Sequence, residues 1–153
     1  MITVSQEPIS SPDARRLLDE LDVFLNSLYP PENNFLDLPA AHLDGQAGTF
    51  LVGREDGAAI GCGAVHRISE TSAEIKRMYV RPVARGRGSG RRVLDELETW
   101  ARRAGVFRLV LETGVLQTAA IALYEAAGFT RIACFGAYAG SSQSVCFEKH
   151  LVP

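Results

Sequence analysis

The chain has 153 residues, of which 46% are apolar and 22% charged, and its formal net charge is -2. That length suits one domain spanning residues 1–153, able to bury about 70% of the surface its unfolded form exposes. The balance excludes a disordered chain, a membrane-spanning one, which needs an apolar run of about 20 residues, and a nucleic-acid binder held by overall positive charge. The first seven residues lack the basic flank and apolar core of a secretory signal, which points to a cytoplasmic location. Cys62, Cys134 and Cys146 have no C-x-x-C spacing and lie in strand-like apolar surroundings. They read as small reduced core residues, with no metal or disulfide set.

In chain order, Ser11-Pro12 opens a helix: the hydroxyl can cap free N–H groups, and proline suits the first helical position. Leu17, Leu21, Phe24 and Leu28 recur at three- and four-residue steps, and Pro30 and Pro31 stop the helix by Tyr29. Residues 29–49 carry prolines, asparagines and Gly45, with a short helical turn expected near 36–43. Residues 49–54 and 58–67 read as strands joined across Glu55-Asp56-Gly57, with Gly61 and Gly63 marking a bulge or close backbone packing. A third strand occupies 73–80. A helix at 89–104 shows the stripe Val93, Leu97, Trp100 and Ala104 and stops at Gly105. A buried strand at 107–112, a helix through Ala120, Leu123, Tyr124 and Ala127 closed by Gly128, and strands at 130–135 and 144–149 complete the chain. This order mixes antiparallel hairpins with a strand-helix-strand unit, so the expected fold is α+β, three layers around one mixed sheet.

Between the third strand and the next helix stands Arg85-Gly86-Arg87-Gly88-Ser89-Gly90. Glycines at a strand-to-helix junction let a ligand approach the backbone, and the free N–H groups and dipole of a helix start favour anions. Arg81, Arg85, Arg87, Arg91 and Arg92 add charge-assisted donors. Since the chain as a whole is acidic, this cluster is expected to await a local anion such as a pyrophosphate. The spacing is neither G-x-G-x-x-G nor a P-loop, which excludes those nucleotide sites.

The spacing of Arg85, Gly88 and Gly90 resembles the Arg/Gln-x-x-Gly-x-Gly/Ala motif of the GNAT superfamily of acetyl-CoA-dependent N-acyltransferases. Val80 and Pro82 stand where that family's central strand ends in V-x-P, and residues 122–129, Ala-Leu-Tyr-Glu-Ala-Ala-Gly-Phe, are similar to its A-L-Y-x-x-x-G-F signature. The resemblance implies a mixed, mostly antiparallel sheet in which two central parallel strands splay apart. It implies acetyl-CoA as co-substrate and no metal, with the pantetheine arm along the backbone of Met78, Tyr79 and Val80. The pyrophosphate would rest on Arg85, Gly86, Arg87, Gly88, Ser89, Gly90 and Arg91. Homodimers are common in that superfamily, so one is allowed here.

The same resemblance points to Tyr124 as the acid that protonates the departing thiolate, and to Glu74, eleven residues before Arg85, as the base. Glu112, at the end of the next strand, and water remain competing proton acceptors. Gln117 replaces the asparagine often found seven residues before the tyrosine and is expected near the pantetheine or the acceptor. Tyr29, Asn33 and His42, in the segment that overhangs the acceptor pocket in the family, are candidate substrate contacts, whereas His66 reads as a strand-end residue. Alternation sends Lys76 and Arg77 to opposite faces of a covered sheet, so each needs a protein carboxylate or one awaits a carboxylate of the substrate. The expected function is therefore acetyl transfer to the primary amine of a small molecule, one that carries a carboxylate if Lys76 or Arg77 has no protein carboxylate to answer it. The alternatives are a protein or peptide acetyltransferase and a non-catalytic acyl-CoA sensor. An RNA-binding module is disfavoured by the acidic balance.

Overall fold

The computed structural model describes residues 1–30 and 38–152. Helix α1 (Pro12–Leu28) begins as the sequence predicts: the Ser11 hydroxyl accepts the Ala14 N–H at 3.1 Å, and Pro12 takes the first helical position. It ends at Tyr29, whose extended backbone suits a residue that precedes a proline.

Among the described residues seven strands form one sheet: β1 (Ile2–Gln6), β2 (Gly48–Glu55), β3 (Ala58–Arg67), β4 (Ser72–Val80), β5 (Arg108–Gly114), β6 (Thr130–Ile132) and β7 (Ser144–His150). Their spatial order is β1-β2-β3-β4-β5-β7-β6, and all neighbours are antiparallel except β4 and β5. Helix α1 covers one face, where Leu17 and Leu21 meet Phe50, Val52, Cys62 and Ala64. Helices α2 (Ser89–Arg103) and α3 (Thr118–Ala126) cover the other, where Val93, Leu94 and Leu97 meet Val65, Ile75, Leu111 and Phe147. This is the expected three-layer α+β arrangement.

The parallel pair is short. Ser72–Ile75 pairs with Arg108–Leu111, after which β4 runs on to Val80 and β5 to Gly114 without pairing to each other. Outer partners hold both strands through this gap, β4 by β3 up to Val80 and β5 by β7 up to Gly114. The opening is therefore a fixed cleft in the sheet, lined by strand edges whose backbone groups are available to a ligand.

A bulge in β4 shapes that cleft. Lys76 pairs with Ala64 and Tyr79 with Cys62, so Arg77 and Met78 together oppose Gly63. Arg77 takes a left-handed backbone (φ 60°), and a Cβ on Gly63 would lie 2.5 Å from the Met78 sulfur. The bulge corrects the expectation that Lys76 and Arg77 face opposite ways. Lys76 shares the α1 face with its cross-strand partner Ala64, and Arg77 reaches the same layer, where it pairs with Asp22 of α1.

Two further differences are local. β1 pairs with β2 along the sheet edge and was not anticipated. β6 stops at Ile132, and Gly136–Tyr138 forms a 3-10 turn. Part of the turn expected near 36–43 is present as a 3-10 helix at Ala40–Leu43; its first two residues lie outside the described residues. Among the described residues no helix is long and apolar enough to cross a membrane.

Candidate active site

Two cavities flank the splayed strands. The larger, about 440 Å³, runs from the end of β4 over the glycine loop to α3. Gly86 and Gly88 hold φ near 80°, and Gly88 is the N-cap of α2 with no side chain capping the first turn. A side chain at either glycine would meet open space, so what they supply is the left-handed backbone. Gly90 works differently: a Cβ there would sit 3.3 Å from Val80 and from Leu123, and its absence lets α2 start tight against β4 and α3. The result is an uncapped helix start facing a cleft, which favours an anion.

The arginines are not waiting for one, contrary to expectation. Arg81 pairs with Glu20, Arg87 with Glu55, Arg91 with Asp95 and Arg92 with Glu96. These pairs are substantially exposed, and contacts of that kind contribute about 0–1 kcal/mol, so an incoming phosphate can displace them. Arg85 alone of the five has no carboxylate partner among the described residues. It donates to the Val80 carbonyl at 3.0 Å and lies 5.4 Å from the centre of the Phe24 ring.

The smaller cavity, about 90 Å³, lies on the α1 side of the gap and is walled by Tyr29, Lys76, Arg77, Glu112, Tyr138 and Gln143. Leu21, Met78, Gln117, Ala120 and Tyr124 line both spaces, so the two meet at Tyr124. Tyr124 belongs to the core on the α2 and α3 side, with Phe129 edge-on at 5.9 Å, and it reaches the α1-side cavity because the strands part there. Its hydroxyl has no protein hydrogen-bond partner among the described residues. Burial, reinforced by Glu112, holds its pKa well above that of an ordinary phenol.

The two candidate carboxylates differ sharply. Glu74 is buried and both its oxygens are engaged: His66 Nε2 lies 3.2 Å from Oε1, and the Tyr138 hydroxyl donates to Oε2 at 2.5 Å. Burial alone would raise its pKa, but the hydrogen bonds from His66 and Tyr138, with the charges of Lys76 and His66, bring it below the usual value. Glu112 faces the cavity and accepts from Ser144 Oγ at 2.6 Å. Burial, with the nearby charge of Glu74, raises it against the opposing effects of Ser144 and Lys76.

The sequence matches the model of the acetyltransferase (GNAT) family over residues 14–129. The chain belongs to the GNAT acetyltransferase family. It is 42% identical, over 98% of both chains, to an Azospirillum brasilense protein named IAA acetyltransferase. It superposes with a TM-score of 0.85 on a Klebsiella pneumoniae protein described as a candidate acyl-CoA N-acyltransferase, at 33% identity over 99% of both chains. A GNAT family acetyltransferase from Elizabethkingia anophelis, solved with acetyl-CoA bound, shares the fold at TM-score 0.69 and 17% identity over 98% of both.

In this GNAT acetyltransferase the residues singled out from sequence fall into three groups. Met78, Tyr79, Val80, the loop from Arg85 to Gly90, Arg91, Gln117 and Tyr124 come together, although Arg87 bonds away from the cleft to Glu55 and the Val83 carbonyl. Tyr29, Arg77 and Glu112 come together in the smaller cavity, where the Tyr29 hydroxyl accepts the Leu116 N–H at 3.0 Å. Gln117 is tied by Oε1 to the Gly114 N–H at 2.9 Å. Glu74 and His42 stand outside both cavities; His42 is exposed and stacks on His66 with ring centres 5.6 Å apart. Asn33 lies outside the described residues. Cys62 is buried, its thiol pushed up to about 12 by burial, and burial likewise raises Cys146 to about 12. Sequence reasoning missed Tyr138, Gln143 and Ser144, which sit in or beside an unpatterned loop; Ser144 is placed by the β5–β7 pairing, Gln143 by the Val115 N–H and Tyr138 by its bond to Glu74.

Proposed function

We propose that this acetyltransferase moves an acetyl group from acetyl-CoA to the primary amine of a small molecule by direct attack. The meeting of the two cavities at Tyr124 carries this reading: the amine and the thioester would approach from opposite sides of the sheet gap. The pyrophosphate fits the uncapped start of α2 at Gly86 and Gly88, with Arg85, which holds no carboxylate among the described residues, and Arg91, released from Asp95, as its cations. The amide-bearing arm fits the exposed edge of β4 at Met78, Tyr79 and Val80.

Each proton has a place. An amine arriving as ammonium must lose a proton, and Glu112, facing the cavity with a raised pKa, accepts it directly or through one water. The nitrogen lone pair then forms the C–N bond, and the C–S bond breaks with its electrons on sulfur. Tyr124 donates its hydroxyl proton to that sulfur, and the second proton of the attacking nitrogen, released as the amide forms, returns to the Tyr124 oxygen through water. A free thiol titrates near 8.5 and a phenol near 10, about 1.5 units higher. Burial raises both, as Cys62 illustrates, so the buried tyrosine stays matched to a thiolate generated in the same apolar seam.

The cavity of about 90 Å³ favours a small amine over a peptide. It offers no open fork to a carboxylate, because Arg77 Nη1 lies 2.9 Å from Asp22 and that side chain is 9% exposed. Lys76 faces Glu74 and Glu112. We therefore read the acceptor as a small primary amine in which a carboxylate is not the main determinant. The test is a panel of small amines, amino-acid and amide pairs, and lysine peptides, followed by CoA release. Fast release with small amines is expected, with acid and amide used within a few-fold of each other. Preferential use of lysine peptides, or release no faster than thioester hydrolysis with every amine, would overturn the proposal.

A further inference from the structure

Glu74 is a buried carboxylate for which the proposed reaction has no direct use. It is 7% exposed, it does not line the acceptor cavity, and each of its oxygens has its own donor. One donor, His66, is its cross-strand partner on β3 and is backed by the stacked ring of His42. The other, Tyr138, arrives from a 3-10 turn 64 residues away and does line the cavity, beside Glu112.

The turn carrying Tyr138 makes local backbone contacts. The amides of Tyr138, Ala139 and Ser141 bond back to Phe135, Gly136 and Tyr138 respectively, and Phe135 packs edge-on against the Tyr138 ring at 5.3 Å. None of these bonds fixes the turn relative to β4 and β5. The hydroxyl bond to Glu74 does, and it is strongly enforced, because a buried carboxylate deprived of a donor is left paying its desolvation cost. Lys76 on β4 and Glu112 on β5 also act on Glu74 or Tyr138 electrostatically, so the clamp is embedded in the charge field of the acceptor cavity.

We propose that His66 and Glu74 form a clamp that holds Tyr138 as the specificity-setting wall of the acceptor cavity, so that Glu74 is a positioning residue and not the proton acceptor. For its kinetic arm the proposal rests on the acetyl-transfer reading above. The geometry separates the two roles. A proton acceptor needs a lone pair turned to the amine, and Glu74 spends its two oxygens on His66 and Tyr138. A clamp needs only hydrogen-bonding capacity, which an uncharged amide retains in part.

The experiment compares Glu74→Gln, Glu74→Ala and Tyr138→Phe by steady-state kinetics against the best amine of the panel, and by amide hydrogen exchange without substrate. A clamp predicts that Glu74→Ala and Tyr138→Phe raise the amine KM about tenfold or more, the scale of a lost hydrogen bond to a charged group, and leave the acetyl-CoA KM within about twofold. Glu74→Gln should recover most of that loss and lower kcat less than tenfold. The exchange arm predicts at least about tenfold faster exchange at Tyr138, Ala139 and Ser141 in Glu74→Ala and Tyr138→Phe, with the β4–β5 amides unaffected. A kcat loss of about 100-fold in Glu74→Gln at unchanged amine KM would make Glu74 the base and overturn the clamp. So would unchanged KM and unchanged exchange in Tyr138→Phe, which removes only one buried hydroxyl and serves if Glu74→Ala does not fold. Should the wild type acetylate no amine, the transfer reading fails separately, and the exchange data alone decide whether the clamp exists.

Discussion

Gly114→Ala tests how tightly the acceptor side is built. Gly114 ends β5 where Tyr29, just past the end of α1, crosses it, and a Cβ there would lie 1.8 Å from the tyrosine oxygen, 2.2 Å from Cζ and 2.8 Å from Gln117 Oε1. No side-chain contact survives at such distances, so Tyr29 must leave its 6% exposed position and give up its bond to the Leu116 N–H. The lost hydrogen bond costs about 0.5–1.5 kcal/mol and the overpacking about 1–3 kcal/mol. Alanine returns about 0.4–1 kcal/mol by restricting the unfolded chain, since Gly114 is not in the left-handed region. The net expectation is a destabilisation of about 0.5–4 kcal/mol, read by urea unfolding as a lower midpoint at constant m, together with a higher amine KM because Tyr29 walls the cavity. Tyr29→Ala in the same chain should absorb the insertion, so the double variant is more stable than the sum of the singles requires. A loss under about 0.5 kcal/mol, or strict additivity with Tyr29→Ala, would refute the reasoning.

Gly88→Glu places a carboxylate at the start of α2 on a backbone of φ 81°; it should cost about 1–2 kcal/mol of stability and abolish acetyl-CoA binding by calorimetry, and unchanged affinity in a folded variant would remove the pyrophosphate from this loop. Tyr124→Phe keeps the packing against Phe129 and removes the proton donor, so kcat should fall roughly 10- to 1,000-fold with acetyl-CoA affinity little changed; near-normal turnover would return Tyr124 to the core. Glu112→Gln should lower kcat by about 100-fold and erase the acid limb of kcat/KM, which in the wild type lies above the ordinary carboxylate range. The same change should raise the unfolding midpoint at neutral pH. With a raised native pKa, the native state binds more protons than the unfolded one between the ordinary value and the raised one, and stability falls as pH rises through that window. Glu74 has the opposite sign: its lowered pKa contributes stability that is present above the ordinary carboxylate value and lost as pH falls through the native one, so Glu74→Gln should flatten the acid side of a stability profile.

The sequence alone determined what local physics determines. The 3.6-residue stripes placed α1, α2 and α3, the Ser11-Pro12 start and the glycine stops bounded them, and the repeated glycines marked the strand-to-helix junction before α2. The Arg-x-x-Gly-x-Gly spacing and the later Tyr-x-x-x-Gly-Phe run were enough to indicate the family that the match over 14–129 shows. What only the tertiary structure decided depends on partners far apart in the chain. β1 is a short edge strand whose register with β2 is set across some fifty residues, and its own pattern is too brief to reveal it. The bulge that turns Arg77 toward α1 lies opposite Gly63 of the neighbouring strand, so alternation along β4 misplaced the cation, and its partner Asp22 is 55 residues away. The loop arginines looked like an unanswered charge because Glu20 and Glu55, which answer two of them, come from α1 and the end of β2. Between the two candidate carboxylates, the eleven-residue spacing before Arg85 pointed to Glu74 and left Glu112 as its competitor. Packing separated them, closing Glu74 between His66 and Tyr138 and leaving Glu112 turned to the cavity, because solvation and hydrogen-bond partners are properties of the folded surroundings and not of the residue.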